Sequence, residues 1–134
     1  MANVLYPKFK QSILSGTGPN LPVDNLKVAL IHTASYTFNA ADQYLSAIPG
    51  GAIVVTSSNL TGKSVTNGIF TAGNLTLVSV TGLSCEALII YQDTGVAGTS
   101  QLIAYFDTGV SGLPVTPNGG NIAIQWNGSG VFSL

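Results

Sequence analysis

From residue 51 to its end the chain is cut into short apolar runs by glycine and asparagine: "AIVVTS", "SVTNGIFTA", "NLTLVSV", "CEALIIYQ", "QLIAYF", "NIAIQW" and the closing "GVFSL". Strand-length segments separated by turn residues every 8–14 residues or so predict a mainly β chain, an antiparallel β-sandwich or jelly roll. "PNGG" (117–120) is a tight-turn signal placed just before the alternation Ile122, Ile124, Trp126.

The first third reads differently. "YPKFKQSILSG" predicts a short helix, with Pro7 at the first helical position and Gly16 as the stop. Tyr6, Phe9, Ile13 and Leu14 form an apolar stripe on it. So short a helix is marginal alone and needs a surface, either the chain's own sandwich or another chain. "NLKVALIHT" predicts a strand with Leu26, Val28 and Leu30 on one face. "NAADQYLSAIPGG" predicts one or two helical turns, with Asn39 as cap, Asp42 as its capping-box partner and Pro49 as the end. No linker or charge run divides the 134 residues, so one domain is expected: an N-terminal helical arm over 1–16 and a sandwich over 24–134.

Charge is scarce. Lys8, Lys10, Lys27, Lys63, Asp24, Asp42, Glu86, Asp93 and Asp107 make up 7% of the chain, and there is no arginine. An average soluble domain carries about 25%. Four lysines cannot supply the phosphate contacts that dominate nucleic-acid binding, so nucleic acid is not an expected partner. A net charge of −1 gives little repulsion between copies, and such a surface tends to associate. The longest apolar runs, "VALI" and "ALIIY", fall far short of the roughly 20 residues of a membrane span. The start, "MANVLYPKFKQ", has no apolar stretch of signal-peptide length. Cys85 is the single cysteine, a core residue by expectation, and His32 the single histidine. Neither a disulfide framework nor a thiolate or histidine metal cluster is expected, and no cofactor. The sequons at Asn59, Asn74 and Asn127 reflect a chain rich in Asn and Thr.

One repeat invites a catalytic reading. "LIIYQDTGVAGTS" and "LIAYFDTGVSGLP" match at eight of thirteen positions, and each carries Asp-Thr-Gly, the loop sequence of aspartic proteases. Such a protease needs two carboxylates about 3 Å apart. If the two segments are successive antiparallel strands, Asp93 and Asp107 lie at opposite ends of a hairpin, about 20 Å apart at the rise of a strand. A homodimer could supply one aspartate per chain, but it also needs a threading apolar-apolar-Gly segment and flaps, which the sequence lacks. Asp93 and Asp107 are therefore expected to be structural, each accepting backbone hydrogen bonds at a strand-ending turn.

Other candidates fare no better. "LTGKSVTNG" imitates a phosphate loop but has Ser57 where the pattern requires glycine, and a strand follows instead of a helix. His32 lacks a placeable nucleophile and carboxylate. Trp126 and the tyrosines are expected in the core more than on a sugar platform. No catalytic residue is assigned, and no enzyme is expected.

Longer stretches carry a resemblance. "YPKFKQSILSG", "LKVALIHTASYTF", "LTGKSVTNGIFTAGNLT" and above all "IAYFDTGVSGLPVTPNGGNIAIQW" followed by "GVFSL" resemble a small virion structural protein of tailed bacteriophages, nearly end to end. The resemblance implies a capsid decoration (cement) protein on the head exterior, made in the host cytoplasm. It implies the major capsid protein or other virion proteins as partners, and a homo-oligomer with a trimer favoured. His32 and Asn127 depart from the acidic residues expected there, which bears on surface chemistry. The competing readings are a tail, neck or head-fibre-base component and, in another class, a carbohydrate-binding module.

Overall fold

A computed structural model describes residues 3–134. Strand β1 (Val4–Leu5) leads into helix α1 (Pro7–Leu14). Nine strands follow: β2 (Leu26–Ile31), β3 (Ile53–Thr56), β4 (Ser64–Thr66), β5 (Ile69–Thr71), β6 (Leu75–Leu77), β7 (Ala87–Gln92), β8 (Leu102–Phe106), β9 (Ile122–Ile124) and β10 (Phe132–Ser133). Every pairing between them is antiparallel. The fold is mainly β, a β-sandwich with one short helix near the N-terminus.

One layer is a five-stranded sheet in the order β1-β8-β7-β2-β3. The opposite layer is split between β10-β5-β4 and the pair β6-β9. Register shows how the central sheet is sandwiched. Phe106, Leu88 and Leu30 share one cross-strand row, and Phe106 meets the Trp126 ring at 6.3 Å, beside the split layer. Tyr105, Ile89 and Ala29 share the next row on the opposite face, where the Tyr36 and Phe38 rings cover Tyr105. Both faces are thus covered, and the strands read as unbroken apolar runs instead of the alternation of a half-solvated sheet. Ala29 and Ile31 are as buried as Leu26, Val28 and Leu30.

Two expected elements take another form. "SVTNGIFTA" is a hairpin and not one strand: Asn67 and Gly68 adopt φ of 51° and 77° between β4 and β5. A two-residue turn with both φ positive matches the twist of the flanking strands, and Asn-Gly is the pair that tolerates it. The stretch after Asn39 forms two short 3-10 turns, Leu45–Ala47 and Gly50–Ala52. Asn39 Oδ1 does accept the Ala41 N–H at 2.9 Å, but Asp42 turns away and accepts the Tyr36 hydroxyl at 2.7 Å.

Candidate functional site

The two Asp-Thr-Gly loops lie at opposite ends of the β7–β8 ladder. Leu88 pairs with Phe106 at one end and Tyr91 with Leu102 at the other. Asp93 follows β7 and Asp107 follows β8, so strand rise alone sets them about 20 Å apart. Their turns are built differently. Asp93 Oδ1 accepts the Gly95 N–H at 3.0 Å, and Oδ2 pairs with Lys27 Nζ at 3.0 Å. The Lys27 hydrogen bond, helped by the Gly95 N–H, holds the carboxyl below the ordinary aspartate range. At the second loop the clamp comes from Asn3. Its Oδ1 accepts the Asp107 and Thr108 N–H groups at 2.9 and 3.0 Å, and its Nδ2 donates to the Thr108 carbonyl at 2.7 Å.

His32, beyond the end of β2, gains a carboxylate neighbour that the sequence did not place. Its Nδ1 lies 2.7 Å from the Ser84 carbonyl, so that nitrogen carries the proton. Glu86 Oε1 is 3.7 Å away and Ser84 Oγ 3.4 Å, both on this same nitrogen. A nucleophile in a triad must sit on the other ring nitrogen. Here the hydroxyl shares the carboxylate's side, so the group has the wrong arrangement for proton abstraction from Ser84. Glu86 Oε1 instead accepts the Thr33 N–H and hydroxyl, each at 3.0 Å. Burial opposes its charge, but hydrogen bonds from Ser84 and Thr33 and the nearby His32 prevail and lower its pKa.

The remaining candidates are structural in their surroundings. Lys63, of the phosphate-loop imitation, donates its ammonium to the Asp24 carbonyl, and strand β4 follows it. Trp126 Nε1 donates to the Gly73 carbonyl at 3.0 Å, and its ring tilts against Phe106. Cys85 is fully buried, and burial followed by the Glu86 charge raises its thiol to about 11. Among the described residues no three His, Cys, Asp or Glu side chains gather as metal ligands, and no helix is long and apolar enough to cross a membrane.

The apolar stripe of α1 is divided. Tyr6 and Phe9 pack into the chain's own core, the first of the two surfaces expected for the stripe, and only an edge of Phe9 reaches an open groove. Burial of their apolar rings favours this packing. Tyr6 stacks near Phe38, and its hydroxyl reaches the Tyr36 hydroxyl at 3.0 Å. Burial, with that hydrogen bond, pushes the Tyr6 phenol far up. Phe9 meets Phe132 edge-on at 6.1 Å. Ile13 is half-buried, and Leu14 alone stands out, 86% exposed.

What the surface does offer is apolar. An open groove of about 270 Å³ is lined by Phe9, Ile13, Leu21, Pro22, Val65 and Leu134, among others. Val23, Val78, Val96 and Leu134 are each more than half exposed. Among the described residues nine large apolar side chains are exposed, as many as the formal charges of the whole chain. Of these, Val65 and Leu134 share the groove, and apolar surface joined in this way marks contact sites. No protein-family model matches the chain, and comparison with curated proteins gives no significant match.

Proposed function

We propose that this protein is a non-enzymatic structural component of a tailed-phage virion, a decoration protein that binds the head exterior and stabilises the shell. The observation that carries the reading is the surface: nine exposed large apolar side chains among the described residues and an apolar groove, on a chain with only nine charges. Such a surface favours permanent contact over dissolved, solitary existence. The end-to-end resemblance to small virion proteins supplies the kind of contact. The partners are then the major capsid protein and further copies of this chain, and the place is the particle.

Quantitative mass spectrometry and a density map of purified particles test this. Stoichiometric copies on the outer face of heads are expected. Copies confined to the tail or neck would move the assignment there. Saturable glycan binding by the isolated protein, with no copies on particles, would replace it with a carbohydrate-binding module.

A further inference from the structure

Strand β4 ends the β10-β5-β4 sheet, and among the described residues its other side pairs with nothing. The Asn67-Gly68 turn makes Thr66–Ile69 the hydrogen-bonded pair that closes the hairpin, so Val65–Phe70 is the non-hydrogen-bonded pair. The Val65 N–H and C=O therefore point outward, along the open edge. Ser64, Val65 and Thr66 are all exposed. Natural edge strands are usually guarded by short length, a charge, a proline, a bulge or a covering loop. Here the only such device within the strand is its three-residue length, and the flanking Lys63 is turned back onto the Asp24 carbonyl. Val65 also lines the apolar groove, as does Leu134, which is 58% exposed.

We infer that β4 is a self-association edge, at which a second copy of this chain adds its own β4 in antiparallel register about a two-fold axis at Val65. A net charge of −1 puts little repulsion between copies, and the strand's own residues admit this occupant. The pairing sets Val65 against Val65 of the second copy and Ser64 against its Thr66. Lys63 falls opposite Asn67, so no like charges meet. Val65 and Phe70 lie on the same face of the hairpin, so the two copies present that face on one side of a continuous sheet and their grooves lie side by side. Main-chain bonds give the pairing, and the joined apolar walls add burial. The contact is two-fold, unlike the three-fold association implied by the resemblance. It deepens the assembly reading by naming its surface, yet it rests on the strand edge alone. Heads that fail to bind the protein would leave it standing, and its failure would leave head binding standing.

The test is the solution mass of the full-length protein across a concentration series, by light scattering or sedimentation. A monomer–dimer equilibrium is expected. Ser64→Lys with Thr66→Lys places lysine opposite lysine twice and should weaken the dimer at least about tenfold. Ser64→Lys with Thr66→Asp places opposite charges there and should keep it, which also controls for any cost to folding. Val78→Lys, an exposed change on another strand edge region, should leave the dimer unchanged. A monomer at all concentrations, a trimer, or a dimer indifferent to the two-lysine variant would overturn the inference.

Discussion

Asp93 and Asn3 hold equivalent turns by different chemistry, and the difference is measurable. Asp93→Ala removes the acceptor for Gly95 and the Lys27 pair, and should cost about 1–2 kcal/mol. Asp93→Asn keeps an acceptor and loses only a partly exposed ion pair, worth about 0–1 kcal/mol. Because the folded Asp93 carboxyl sits below its unfolded value of about 3.9, its contribution is complete above that pH and is lost as pH falls through the folded value. Urea midpoints at pH 7 and pH 3 should therefore differ less in Asp93→Asn than in the original chain. Asn3→Ala should cost about 1 kcal/mol at either pH, since a neutral amide holds the second turn. The repeat was visible in the sequence, but this division of labour was not. Asn3 and Thr108 are 105 residues apart, and only tertiary folding brings them together.

At the scale of elements, α1 belongs to the core through its first turn and to the surface through its last. Deleting residues 1–15 removes β1, which pairs with β8, together with the Tyr6 and Phe9 rings. The expected result is loss of the cooperative unfolding transition in calorimetry, not a folded monomer. Leu14→Ser, at an exposed site, should change stability by less than about 0.5 kcal/mol. Tyr36→Phe should cost more than Tyr6→Phe, about 1–3 against about 1 kcal/mol, because Tyr36 bridges Tyr6 and Asp42. Retention of a sharp transition in the deletion would contradict this assignment. The strands β2, β7 and β8 were legible as apolar runs, but Leu26, Val28 and Leu30 read as one buried face, whereas Ala29 and Ile31 on the other face are buried too. Strand β1 was not, because two residues carry no period. Asn67-Gly68 spells out the β4–β5 turn, but the apolar residues on either side read together as a single strand. The turns after Asn39 are two separate 3-10 turns and not one α-helix, because Pro49 follows the first and Gly50 and Gly51, poor helix formers, make up most of the second.

For the whole molecule, the decisive quantity is the balance between nine charges and the nine large apolar side chains exposed among the described residues. The charge poverty could be read from composition. The groove could not, because Leu21, Val65, Phe132 and Leu134 meet in it from distant parts of the chain. In the proposed decoration role, this balance favours apolar and hydrogen-bonded contact over ion pairing. At 1 M salt the Debye length is about 3 Å, which weakens a charge-driven complex sharply, whereas apolar contact survives. The most direct measurement is release of the protein from purified particles, followed by the temperature at which stripped heads break. The account predicts retention through 1 M NaCl, release by urea or heat, and earlier breakage of stripped heads, since a ligand of the intact shell stabilises it by mass action. Release by salt alone, or stripped heads as heat-resistant as decorated ones, would contradict it.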